Sequence, residues 1–339
     1  MTPDRRPACN MRLASCGVTC LKSSSVFQIN FSAGLTFLCP ESPHERQAQK
    51  RYLPYETDTS FMIKKTEFAA IGTEVKKAII DTLDNIRAKS LGNYVLLLAD
   101  GEYKAEYDTP QNQFSPFVID NRIDYYKDES RLQFLAKFLN TYYTFAPPQT
   151  STDDDQYRIH IELMAYSHIW ESKPFLKKLH RVAHLDNGEE YNWDVIVPEM
   201  GNPGKHEFIR DDIRTTFQNN GNPMYDVIKK GYHSSLRNAF AHSEYAFDTM
   251  NGNTRIWLDN YKGKSWELQE ISFDDWSKRF VYSALLSFYL FTITHQKRTS
   301  LIQELGTDTF TIKHPSKNGG TNNVDIVYRQ EGNGFSFKR

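Results

Sequence analysis

The 339 residues predict a mainly α-helical fold with a small β insertion and a short β tail. Three observations carry this. From residue 62 onward, apolar residues recur at three- and four-residue spacing over most of the chain. Gly (17) and Pro (14) both fall below average usage, which tilts the composition toward helix. Alternating runs flank turn signals in only two places, near Asn251-Gly252 and Gly319-Gly320.

The composition also excludes whole classes. With 39% hydrophobic and 24% charged residues and a mean hydropathy of −0.61, the chain reads as a soluble globular protein. It does not read as a disordered, collagenous or multispan membrane protein. A formal charge of −1 excludes coating nucleic acid by bulk electrostatics.

Residues 1–61 mix Ser, Pro, Arg and Cys without a sustained period, and are expected to be poorly ordered or loosely attached. Met62 is a candidate native start, with the preceding stretch an extension outside the fold. Cys9, Cys16, Cys20 and Cys39 all fall in that stretch, so no disulfide framework spans the fold. Their spacing is a poor match to paired C-x2-C zinc ligands. Leu13-Ala14-Ser15-Cys16 has the form of a lipoprotein box but lacks the apolar stretch such a signal needs. The expected organisation is this extension, a helical domain over 62–306 and a β tail over 307–339.

Within the helical domain, Phe68, Ile71, Val75, Ile79, Leu83 and Ile86 define an amphipathic helix to about Lys89. A short strand-like run follows at 94–98. Leu132, Leu135, Phe138, Leu139 and Tyr142 form one stripe over 131–145, which Pro147-Pro148 ends. Asp153, Asp154 and Asp155 suit a helix N-terminus ahead of the almost all-round apolar segment 159–170, a core element. Further helices are expected over 172–185, 206–218 and 223–242, the last opened by Asn222 as N-cap and Pro223 at the first helical position. The β insertion comprises runs at 245–249, 254–261 and 265–271. Ser272-Phe273-Asp274-Asp275 fits a capping box that starts a long helix over 273–298. Its apolar stretch 280–293 is shorter than the ~20 residues that span a bilayer. Core or subunit interface is the better reading.

Few motifs survive scrutiny. Gly263-Lys264-Ser265 looks like the end of a phosphate-binding loop, but Leu258 stands where that loop needs its first Gly. His180 and His184, at i, i+4, have a spacing that can ligate a metal from one helix face, yet HExxH is lacking and no third ligand is evident. They are read as solvated helix residues. The acidic run 153–155 is read as helix-start charge rather than a cation site.

The segment that remains is Leu236-Arg237-Asn238-Ala239-Phe240-Ala241-His242. Its Arg-to-His spacing alone carries little, since a chain of this composition holds about one or two such pairs by chance. Its context carries more. At about 100° per residue, Ile228, Tyr232, Leu236 and Ala239 form the apolar stripe, while Arg237, Asn238 and His242 share an arc of roughly 140° away from it. A helix C-terminus where Arg and His complement the dipole is the plainer explanation.

This run, Arg-Asn-x-x-x-His late in a helix, resembles the signature of the HEPN superfamily of all-α domains. These occur as ribonuclease toxins, in antiviral systems and as nucleotide-binding modules. The helix, motif, hairpin and closing helix over 222–298 resemble a bacterial HEPN-like group. The helix pattern resembles it over 62–306. The resemblance implies a HEPN-like antiparallel helical bundle and a homodimer whose motif helices meet across a two-fold axis. It implies Arg237, Asn238 and His242 as catalytic residues acting on RNA without a metal or other cofactor. In that scheme one His242 takes the proton of a ribose 2′-hydroxyl, Arg237 holds the scissile phosphate and Asn238 orients it or the imidazole. A second His242 protonates the leaving 5′-oxygen. The chain departs from members regulated through a Tyr two residues after the His: Glu244 stands there and Tyr245 one further on.

The expectations are thus a cytoplasmic, metal-independent endoribonuclease with an RNA substrate and no membrane partner, in phage defence or a toxin system with an antitoxin or other regulatory partner. The alternatives are a noncatalytic HEPN module binding a nucleotide or partner protein, and an all-α scaffold whose motif is only a helix end. Residues 1–61 hold seven Lys or Arg and five Asp or Glu, so the remainder is slightly acidic and RNA contact must be local, around Arg237.

Overall fold

Phe68, Ile71, Val75, Ile79, Leu83 and Ile86 are all buried on the inner face of the first helix, α1 (Lys65–Lys89), as their spacing requires. Ser90 closes it and caps the next helix, its hydroxyl accepting from Asn93 N at 3.3 Å. That helix, α2 (Leu91–Leu98), corrects the strand expected over 94–98. A short apolar run has no period to choose by, and the Ser90 cap with three consecutive Leu settles it as helix. In this computed structural model, the residues described are 63–109, 115–120, 122–144, 156–199, 204–250, 254–317 and 319–338. They belong to the unit Pro54–Arg339. The four cysteines, Pro147-Pro148, the acidic run 153–155 and the Asn251-Gly252 turn lie outside the described residues.

A two-stranded ribbon, β1 (Glu102–Tyr103) with β2 (Phe117–Val118), precedes α3 (Arg122–Leu139), which begins nine residues before the expected start and runs on into a π turn, Asn140–Thr144. The segment expected to be apolar on most faces is α4 (Gln156–Glu171). It buries Ile159, Leu163, Tyr166, Ile169 and Trp170 but leaves Tyr157 and Met164 about 70% exposed, so one face is open. Ser172 caps α5 (Lys173–Asp186). After it, Tyr191, Trp193, Val195 and Val197 are buried in alternation along an extended segment.

The helix expected over 206–218 runs as α6 (Lys205–Glu207), a π segment (Phe208–Arg214) and α7 (Thr215–Asn219). The single helix expected over 223–242 is two: α8 (Met224–Gly231) and α9 (Ser234–Ala241), parted by Tyr232 and His233 in extended backbone. The cause of the break is packing against the long helix that follows. A Cβ at Gly231 would stand 3.1 Å from Ser283 Oγ, and Ser283 donates to the Gly231 carbonyl, ending α8 where it crosses that helix.

An antiparallel meander, β3 (Tyr245–Asp248), β4 (Arg255–Leu258) and β5 (Glu270–Ser272), leads into α10 (Phe273–Leu305). Ser272 Oγ accepts from Asp275 N, the expected cap. This helix runs seven residues past the expected end, packs on α1, α4 and α8, and buries Trp276, Phe280, Leu285 and Leu290. The tail is an antiparallel sheet, β6 (Thr309–Pro315), β7 (Thr321–Arg329) and β8 (Gly334–Phe337), with β6 against α2. Arg298 of α10 joins tail to helices, donating to Asp100, Asp120 and the Asn333 carbonyl at 2.7 to 3.0 Å. The architecture is thus mostly helical with small antiparallel sheets. No helix among the described residues is long and apolar enough to cross a membrane.

Candidate functional site

The break before α9 creates the start of the motif helix. His233 takes the N-cap, its Nδ1 accepting from Ser235 N at 3.2 Å, and its own backbone N–H donates to the Tyr166 hydroxyl at 2.8 Å. Accepting through Nδ1 requires an uncharged ring there. Burial, with Arg279 and Arg214 nearby, holds His233 down to about 4, which meets that requirement. The other end closes in a Schellman turn. Glu244 N donates to the Ala239 carbonyl and Ser243 N to that of Phe240, with Ser243 at a left-handed φ of 60°. The apolar stripe survives the break: Ile228, Tyr232, Leu236 and Ala239 are all buried, carried by two helices rather than one.

Arg237 and Asn238 are brought into direct contact, Arg237 Nη1 donating to Asn238 Oδ1 at 2.8 Å. Arg237 also binds Glu171 at the end of α4, whose other oxygen accepts from Lys205 at the start of α6. Burial would raise the Glu171 carboxyl, but the hydrogen bonds from Lys205 and Arg237 outweigh it and hold it below the usual carboxylate range. His242 is the C-cap of α9. Its backbone N–H donates to the Asn238 carbonyl at 3.1 Å, while its side chain is exposed and makes no hydrogen bond or ion pair among the described residues. One turn of helix therefore carries a half-buried guanidinium with its amide partner and an open imidazole. Glu171 and Lys205 were missed from the sequence, since nothing local joins positions 66 residues apart.

The loop after β4 borders the same helix. Asn260 Nδ2 donates to the Ser235 carbonyl at 2.8 Å, Leu268 N to Ser235 Oγ at 3.3 Å, and Asp259 N to the Glu244 carbonyl at 2.9 Å. This loop exposes Trp266, with Lys264 Nζ 5.3 Å from the ring centre.

A second cluster overturns the solvated reading of His180 and His184. His180 is only 7% exposed, its ring stacked between that of His184 (centroids 4.0 Å apart) and Phe208 (5.3 Å). The third group comes from the π segment: Asp212 lies 3.2 Å from His180 Nε2 through one oxygen and 3.0 Å from His184 Nε2 through the other. Glu189 meets His184 Nδ1 at 2.8 Å. Hydrogen bonds from both imidazoles hold Asp212 well below the usual carboxylate range. His184 is raised, chiefly by its bond to Asp212 and, against partial burial, by that to Glu189. A π turn was not legible as a period-3.6 pattern, so the sequence could not aim Asp212 at α5. No protein-family model matches this chain, and neither does any curated protein or solved structure.

Proposed function

We propose that the chain is a metal-independent endoribonuclease of the HEPN type, acting as a homodimer in a phage-defence or toxin system, with Arg237, Asn238 and His242 as its catalytic residues. The observation that carries this reading is the exposed His242, without a side-chain partner among the described residues, one helical turn from Asn238 of the Arg237–Asn238 pair. An imidazole can take and return a proton near neutral pH, and a planar guanidinium suits a phosphate. In the reaction the ribose 2′-oxygen attacks phosphorus as its proton passes to His242. The bond to the 5′-oxygen breaks, and His242 of the partner subunit supplies the proton that oxygen needs. The products are a 2′,3′-cyclic phosphate and a 5′-hydroxyl. Arg237 offsets charge on the phosphoryl oxygens as the bond forms.

Two further features support the reading. Glu171 keeps Lys205 as a partner when Arg237 turns to a phosphate, so releasing the guanidinium strands no buried charge. The Trp266–Lys264 pair, on a loop fastened to α9, offers an exposed ring and a cation of the kind on which unstacked RNA bases settle. The pairing of Arg237 with Glu171 also favours a second reading, a noncatalytic HEPN module that binds a nucleotide or partner protein with its guanidinium held back. Untagged protein incubated with structured RNA in EDTA, beside Arg237→Ala and His242→Ala, tests the choice. Cleavage by the parent alone, leaving cyclic phosphate ends, is expected. Equal background from all three overturns the nuclease reading.

A further inference from the structure

We propose that His180, His184 and Asp212 form a binding site for a divalent first-row transition-metal ion, Zn2+ by its donor set, with Glu189 orienting His184 from behind. The ion proposed here takes no part in the chemistry described above.

The argument starts from placement. His180 and His184 lie one turn apart on α5, so their rings share a face. Their stacking turns both Nε2 atoms toward the same carboxylate. Asp212 reaches them because the wider π turn over Phe208–Arg214 rotates it inward, while its neighbour Asp211 faces out to Arg210. One ligand atom from each of the three side chains lies within 4.8 Å of the others. Ligand atoms around a tetrahedral ion with bonds of about 2.0 to 2.1 Å stand about 3.3 to 3.4 Å apart. The separations of 3.2 and 3.0 Å run to different oxygens of Asp212, so the carboxylate must turn to offer one oxygen to an ion held by both imidazoles, and the 4.8 Å span closes by about 1.5 Å around it.

The surroundings fit a metal better than a surface ion pair. Glu189 accepting at His184 Nδ1 reproduces the carboxylate–histidine arrangement that fixes the tautomer and sharpens the basicity of a ligating imidazole. Phe208 covers the outer face of the His180 ring, so that ring is held in place before any ion arrives. The Asp212 side chain is 43% exposed, which leaves an entry path and a fourth position for water. Two imidazoles with one carboxylate select zinc and its neighbours over magnesium or calcium, which prefer oxygen alone. The stretch that carries Asp212 begins at Lys205, the partner of Glu171, so an ion here sits on the element that also reaches Arg237.

Zinc uptake by the untagged full-length chain, measured by equilibrium dialysis and calorimetry, tests the site separately from RNA cleavage. The expected result is one equivalent whose affinity falls at least tenfold in Asp212→Asn and His184→Gln, and by about tenfold in Glu189→Gln. Should His184→Gln fail to fold, Asp212→Asn keeps the carboxyl shape and Glu189→Gln leaves all three ligands in place. Cobalt in place of zinc should give visible bands of nitrogen and oxygen ligation. Equal uptake by parent and variants, sulfur-to-cobalt charge transfer pointing to Cys9, Cys16, Cys20 or Cys39, or no uptake at all overturns the proposal. Loss of nuclease activity with normal zinc uptake would strike the ribonuclease reading alone.

Discussion

The turn of α9 that carries Arg237, Asn238 and His242 and the face of α5 that carries His180 and His184 make an instructive contrast. In the first, the three candidate residues fall within six positions of the chain, and the structure's addition is a restraint: Glu171 already holds the guanidinium. In the second, two residues lie one turn apart on α5 and the third arrives from a different element, through a π turn. A linear motif can reveal a site of the first kind. A site of the second kind is visible only once chain segments are packed. The two also differ in exposure: His242 stands open at a helix end, whereas His180 is buried between two rings.

The largest expected effect would break the comparison on the α9 side. On the proposed ribonuclease reading, His242→Ala should lower RNA cleavage by about 10²- to 10⁴-fold while shifting stability by no more than about 0.5 kcal/mol, because the side chain is exposed and unpaired among the described residues. Turnover and thermal unfolding measured on one preparation check both halves. Next, on the same reading, Trp266→Ala should weaken binding of single-stranded RNA by about 1 to 3 kcal/mol at unchanged unfolding temperature, read by titration at fixed salt.

Smaller effects sharpen the contrast between the histidines. His233→Ala should cost about 1 kcal/mol by removing the α9 cap, and His233→Asn should recover most of it in denaturant titrations. The pH responses have opposite signs. His233 is depressed from 6.5 to about 4, so the unfolded chain gains its proton first and this contribution is lost as pH falls from about 6.5 to about 4. His184 is raised above 6.5, so its contribution is complete below 6.5 and is lost as pH rises through the folded value. Unfolding curves of metal-free protein across that range, beside His233→Asn and His184→Gln, should each lose one limb. The smallest effect belongs to Ser243→Gly, which relieves a left-handed φ at a position that favours glycine and should gain up to about 1 kcal/mol.

Much of the fold was legible because much of it is local. The stripe of α1, the Ser272 cap and the hairpin strands after α9 all follow from side-chain spacing or from a hydrogen bond spanning three residues. The failures share a cause. Residues 94–98 have no period of their own, the break at Tyr232 and His233 depends on how closely Gly231 meets Ser283, and the π turn depends on what Phe208 and Asp212 face.

A mainly helical protein, the burial of Ile228, Tyr232, Leu236 and Ala239, and the closeness of Arg237, Asn238 and His242 in the chain can all be read from the residues alone. Periodicity is a property of the chain and needs no partner to be read. Packing between distant segments is what holds Arg237 with Glu171, separates α9 as a helix with its own cap, and brings Asp212 into a cluster with His180 and His184. Each of these is a contact between distant segments. Its energy exists only after packing has brought the charges within a few ångströms and removed the water between them.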